Sequence, residues 1–279
     1  MIIWIASYPK SGNTWVRSLL SSYYFSNDGN FHFNLLKNID QYPQQKFFDR
    51  KINKPGEISN FWEDSQKKII EKKEIKLFKT HNSLTALNGK KFTSEKYTLG
   101  AIYIVRDPRN IITSLKNHYN LSYKEAIEFM KNDRKYIYDD RIEDDYAAFH
   151  FLSSWSNHYK SWVSNKIFET LVIRYEDLEN KTYETVESIF YFLDSLTDKK
   201  KELNKEKIMN SINTTKFEIM QKKEEEMGFM ENISLNFNKK INFFNLGAKN
   251  KWNNILSEDM IKESNQIFKD DLKYFKYNN

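Results

Sequence analysis

The sequence predicts an α/β fold with a central, mostly parallel sheet flanked by helices on both faces. Three observations carry this. Several short β-branched or apolar runs lack the alternation of a half-exposed strand, as expected where a sheet is buried on both sides. Helical patterns separate those runs, and such alternation builds parallel sheets. With 21 Phe, 17 Tyr and 6 Trp in 279 residues, the chain can bury a sizeable core despite a mean hydropathy of −0.76.

The predicted strands are Ile2–Ala6, Ile75–Lys79, Ala101–Val105 and Leu171–Tyr175. A helix over Thr14–Tyr24 follows the first strand. Residues 26–64 mix Asn, Asp, Gln and aromatics without a period, so they read as an insertion over the sheet edge that could form a substrate lid. The third strand leads into a helix over Pro108–His118, with Asp107 as N-cap and Pro108 as first helical residue, both favoured there. Ser122 and Glu125 have the spacing of a capping box and open a helix over Ser122–Lys131. Further helices are predicted over Asp145–Ser164, Thr182–Leu193, Lys205–Ile212 and Glu258–Tyr274. The charge runs Lys199–Lys201 and Glu224–Glu226 read as solvated helix ends or loops. With no internal repeat, the whole of 1–279 reads as one domain.

Zero Cys excludes disulfides, zinc fingers, iron–sulfur clusters and cysteine nucleophiles. The net charge of +6 and pI near 9.0 fit an anionic partner, although the abundance of Lys, Asn, Ile, Phe and Tyr also looks like AT-rich codon usage. No recognisable nucleic-acid module is present, so nucleic acid is not expected as a partner. No uninterrupted apolar stretch approaches ~18–20 residues, so no transmembrane segment is expected. Without a signal-peptide pattern either, a cytoplasmic location is expected.

Three strand ends carry candidate chemistry. The first strand runs into Ser7-Tyr8-Pro9-Lys10-Ser11-Gly12-Asn13-Thr14-Trp15 and then a helix. Such a junction gathers backbone N–H groups and a positive helix end at one point, which suits an anion. An ordinary βα turn with a helix cap would look the same. The third strand ends in Arg106, with Ser114 about two helical turns beyond. Ligands collect at the carboxyl ends of strands in doubly wound sheets, and a guanidinium there suits a phosphate. The plainer alternative is a structural bridge from Arg106 to Asp107 or another carboxylate. The second strand delivers Lys79, Thr80 and His81 to the same edge, where an imidazole can act as a base near neutral pH. A satisfied strand-end histidine is the plainer alternative. No H-E-x-x-H or similar spacing exists, so a metal is not expected.

Together these segments resemble the sulfotransferase family of the soluble, cytosolic type. Ser7–Trp15 resembles its 5′-phosphosulfate loop, Ile104–Asn110 through Ser114 its 3′-phosphate segment, and Phe78-Lys79-Thr80-His81 the strand end with the base. Trp155–Tyr159, Arg174–Leu178 and Thr215-Lys216-Phe217 are similar to further family segments, in order.

The resemblance implies a P-loop-NTPase-like three-layer sandwich. It implies 3′-phosphoadenosine 5′-phosphosulfate (PAPS) as co-substrate, its bisphosphate PAP as product, no metal, and a small-molecule, lipid or carbohydrate acceptor with a hydroxyl or amine. Lys10, Lys79, His81 and Ser114 would form the catalytic set. His81 would take the acceptor proton, Lys10 would stabilise the departing phosphate, and Lys79 would support the transferring group. Ser11, Gly12, Asn13 and Thr14 would cradle the 5′-phosphate, and Arg106 and Ser114 would hold the 3′-phosphate. Trp15 and Phe217 would sandwich the adenine, with Tyr175 and Thr215 in polar contact.

One departure stands out. The family's Arg-Lys-Gly segment is here Asn245-Leu246-Gly247, so with Gly247 kept, either Lys249 or Lys251 takes over the charge at the 3′-phosphate site or this loop binds the donor less tightly. The acceptor pocket is expected from residues 26–64, Lys116–Tyr119 and 222–245, with Tyr23, Phe31, Phe229, Phe243 and Phe244 as candidate lining and His118 as a second candidate base. The family's short dimer motif is not visible after Trp252, which leaves the oligomeric state open. A P-loop-like nucleotide kinase or hydrolase is the alternative enzymatic reading, and a basic polyanion binder the non-enzymatic one.

Overall fold

A computed structural model describes residues 1–139, 145–197, 202–229, 231 and 242–277. Its strands are β1 (Ile2–Ser7), β2 (Asp40–Gln41), β3 (Lys76–Thr80), β4 (Ala86–Leu87), β5 (Lys90–Lys91), β6 (Thr98–Val105), β7 (Tyr136–Ile137), β8 (His150–Phe151) and β9 (Glu169–Arg174). Five of them form one sheet in the order β2-β3-β1-β6-β9, every pairing parallel. The pairs β4–β5 and β7–β8 are small antiparallel hairpins.

Helices α1 (Asn13–Phe25), α2 (Trp62–Ile70), α3 (Pro108–His118), α4 (Tyr123–Lys131), α5 (Trp155–Val163) and α6 (Tyr175–Asn180) are joined by α7 (Thr182–Thr197), α8 (Lys205–Thr214), α9 (Phe217–Met227), α10 (Trp252–Ile255), α11 (Glu258–Ile267) and α12 (Lys269–Tyr274). The strand pleat divides them into two layers. Ile3 and Ile5 of β1 pack with Val16, Leu19 and Leu20 of α1 and with Val186, Ile189 and Phe190 of α7. Ile2, Trp4 and Ala6 face the other way, onto a cluster holding Ile112, Ala126, Trp155, Trp162 and Phe268 from α3, α4, α5 and the segment between α11 and α12. Both faces of β1 are therefore covered, which accounts for its continuous apolar run.

The four predicted strands are present. The aperiodic stretch at 26–64 adds a fifth, because β2 extends the sheet by pairing Asp40 and Gln41 with Phe78 and Lys79. The predicted cap and capping box also form: Asp107 accepts from the Arg109 N–H, and Ser122 and Glu125 satisfy each other's backbone.

Two helices need correction. The stretch Asp145–Ser164 is helical only from Trp155, because Ser154 caps that helix and accepts from the Asn157 N–H. Upstream, Asp145 accepts from the backbone of Ile52 and Ala147, and β8 pairs with β7, so apolar residues at helical spacing lie in an irregular segment. Glu258–Tyr274 divides at Phe268 into α11 and α12. Glu224 also departs from its solvated reading. It is fully buried in α9, and its carboxylate accepts from the N–H groups of Phe243 and Phe244 at 2.7 and 2.8 Å. The run Lys199–Lys201 lies outside the described residues.

Candidate active site

Parallel pairing brings the carboxyl ends of the strands to one edge of the sheet. Ala6 stands opposite Thr80, Ser7 opposite Ile104, and Val105 opposite Arg174. The residues that follow, Lys10, His81, Arg106 and Tyr175, all line a single cleft of about 1280 Å³. Gln41, at the end of β2, lines it too.

The loop after β1 is shaped by its own backbone. Lys10 and Gly12 both adopt positive φ, 67° and 98°. A Cβ on Gly12 would lie 2.6 Å from the Tyr175 ring, so this position is restricted to glycine by both conformation and space. Arg106 donates from Nη1 to the Lys10 carbonyl at 3.1 Å and lies 4.0 Å over the Tyr175 ring. Its Nε is buried with no partner among the described residues, as are Ser11 Oγ and Trp15 Nε1. The alternative pairing of Arg106 with Asp107 is not formed. Asp107 instead binds the fully buried Arg109, which stacks on Trp252 at 3.9 Å.

Burial pushes the Lys10 ammonium down to about 7, reinforced by Arg106 and Lys79 and opposed by Glu231. Burial also lowers Lys79. Glu231 sits among these cations, accepting from Thr14 at 2.9 Å and from Arg17 at 2.5 Å and pairing with Lys79 at 3.2 Å. Burial alone would raise its carboxyl, but Lys79 and Arg17 hold it well below the usual carboxylate range.

His81 donates from Nδ1 to the Ser7 carbonyl at 2.8 Å; a carbonyl only accepts, so Nε2 is the unprotonated nitrogen. Burial, with Lys79 and His150, keeps the imidazole neutral by lowering its pKa. The backbone of His81 is fixed in turn by α5. His158 Nε2 donates to the His81 carbonyl at 3.1 Å, while its Nδ1 accepts from the Tyr103 hydroxyl at 2.8 Å. One turn on, Trp162 Nε1 donates to the Asn82 carbonyl at 3.0 Å.

At the other end of the cleft wall, Ser114 accepts from Asn250 Nδ2 at 2.9 Å, and the same amide reaches the Asn110 carbonyl. Gly247 packs so closely on Phe217 that a Cβ would lie 2.4 Å from its ring. Trp15, Thr215, Phe217 and Gly247 all line the cleft.

Several expectations need revision. Lys249 and Lys251 are exposed and neither lines the cleft; Asn250, between them, turns inward instead. The Asn13 amide is committed to the Ile5 carbonyl and Ser7 hydroxyl, so its side chain braces the loop rather than offering donors to a ligand. Ser11 is buried beneath the loop and does not line the cleft. Phe229, Phe243, Phe244 and His118 do line it, but Tyr23 packs on Phe190 and Phe31 is fully buried. Sequence reasoning missed Arg17, Glu231 and Asn250. Arg17 had a signal, one helical turn after Thr14 on the same helix, whereas nothing in the sequence marks Glu231 as facing the loop.

A model of the Sulfotransferase domain matches residues 2–276. The chain belongs to the sulfotransferase family. This sulfotransferase is 23% identical over 278 residues to the amine sulfotransferase of Oryctolagus cuniculus, covering 98% of this chain and 81% of that one. It is 21% identical over 268 residues to sulfotransferase 2A1 of Homo sapiens, covering 95% and 82%. Its fold is similar to that of retinol dehydratase solved in complex with androsterone and inactive cofactor PAP, with TM-score 0.59 and 17% identity over 98% of this chain and 80% of that one. Mouse sulfotransferase SULT7A1 complexed with PAP gives TM-score 0.56 and 17% identity over 98% and 84%. The protein is thus a transferase enzyme with the α/β fold expected of it. No helix among the described residues is long and apolar enough to cross a membrane.

Proposed function

We propose that the enzyme transfers the sulfuryl group of PAPS to a hydroxyl or amine of a small-molecule acceptor, with His81 as base. One observation carries this reading: Lys10 and Arg106, the residues expected at two separate phosphates, are joined by a bond from the Arg106 guanidinium to the Lys10 backbone carbonyl and line one cleft beside His81. The cleft suits that donor on its own chemistry. Arg106 and Ser114 line the cleft with donors suited to a 3′-phosphate, and Trp15 and Phe217 line it with rings suited to a purine. The two PAP-bound structures of similar fold point the same way.

The donor supplies a sulfuryl group on a phosphate leaving group. In the transfer, the acceptor oxygen or nitrogen bonds to sulfur as the bond from sulfur to the bridging oxygen breaks, and the electron pair departs on the 5′-phosphate. The acceptor proton passes to His81 Nε2, which is left unprotonated by the bond from Nδ1 to Ser7. Lys10, Thr14 and Lys79 line the same cleft and in this reading meet the negative charge that grows on the leaving phosphate, and preorganised charge of this kind is the main catalytic lever for in-line transfer. Glu231 must give up its partners before an anion can take them.

Calorimetry and radiolabelled transfer test the proposal. PAP is expected to bind more tightly than ATP with Mg²⁺, and Lys10→Ala and His81→Ala are each expected to lose about 10²-fold or more in turnover while remaining folded. Tighter binding of ATP with Mg²⁺ would favour the kinase or hydrolase reading instead.

A further inference from the structure

The cleft continues past His81 along β2 and the loop that follows it. Gln41 stands opposite Lys79 in the sheet and donates from Nε2 to His150 Nε2 at 3.2 Å. That bond makes Nδ1 the protonated nitrogen of His150. His150 is 2% exposed and lines the cleft, yet Nδ1 has no partner among the described residues. Gln45, on the same cleft, donates from Nε2 to the Arg50 carbonyl at 3.1 Å, while its buried Oε1 has no partner among the described residues. Two residues of the cleft wall thus hold one buried donor and one buried acceptor that have no partner among the described residues.

Buried polar groups without partners are costly, and natural sites resolve them with a ligand or water. A hydroxyl both donates and accepts, which matches a pair of this kind. The His150 ring lies 6.0 Å from the His81 ring, centroid to centroid. Two neighbouring hydroxyls of one molecule, each about 3 Å from its imidazole, fit such a span. Gln44 and Asp139 line the same cleft, together with the apolar Ile39, Ile137 and Ala148. A phenol or simple alcohol would engage His81 alone and draw no binding energy from the second set.

We infer that the acceptor is polyhydroxylated and carbohydrate-like, presenting one hydroxyl to His81 and another to His150 and Gln45. This rests on the donor reading above, and PAP binding tests that reading separately. The wild-type enzyme is first shown to bind PAP by calorimetry. Transfer from radiolabelled PAPS is then compared for methyl glucoside and myo-inositol against cyclohexanol and phenol. A polyol is expected to exceed both mono-alcohols in kcat/KM by about 100-fold. His150→Phe keeps ring volume but removes the donor, and Gln45→Met removes the acceptor at a less buried position. In each variant that still binds PAP, the ratio of polyol to cyclohexanol is expected to fall by about 10-fold or more. Preference for cyclohexanol or phenol, transfer to none of the four by a PAP-binding enzyme, or an unchanged ratio in Gln45→Met would overturn the inference. Failure of the wild type to bind PAP would remove the donor reading and this inference with it.

Discussion

At the scale of single residues, the site is governed by how burial and neighbours set charge. Lys10 is held at about 7, chiefly by burial. Below that value it is an ammonium that attracts phosphate, and above it a neutral amine that does not. PAP affinity is therefore expected to fall as pH rises through this region, by at most about tenfold per unit for one proton. Binding should also take up a proton, visible as a buffer-dependent heat. Lys10→Arg stays charged and is expected to flatten the profile; an equally steep profile in that variant would assign the titration elsewhere. Glu231 makes the opposite contribution. Its carboxylate holds Thr14, Arg17 and Lys79. Glu231→Gln is expected to tighten PAP binding several-fold, up to about tenfold. Weaker binding would mean that the carboxylate helps to hold the donor.

At the scale of elements, what the sequence disclosed follows from which signals are local. Asp107 with Pro108, and Ser122 with Glu125, are short-range devices, and both helices begin where these residues place them. His81, Lys10 and Arg106 were legible because each directly follows a buried apolar run. Asp145–Ser154 was misread because apolar spacing cannot distinguish a helix from an irregular buried strip until the Ser154 cap is recognised. Asn250, Glu224 and Glu231 were hidden because their partners lie far away in sequence, and only the folded chain joins Asn250 to Ser114. The loop at Gly12 invites a test of element geometry. Gly12→Ala places a methyl group against Tyr175 at a φ of 98°. It is expected to cost ~1–3 kcal/mol in urea unfolding and to weaken PAP binding by moving the ring that supports Arg106. Unaltered stability would show that the loop relaxes freely.

At the scale of the whole molecule, the sheet order places the first strand of the chain in the middle. β1 lies between β3 and β6, so neither neighbour exists until residues 76–80 and 98–105 have been made. During synthesis the most apolar strand thus emerges first and waits with both hydrogen-bonding edges open. Non-local pairings of this kind form slowly and expose unpaired edges meanwhile. The anion loop inherits that delay, since Lys10 meets Arg106 only once a residue 96 positions further along has been made. Nascent chains stalled before Thr98 should consequently depend on chaperones, and competence to hold a nucleotide should arise late and all at once.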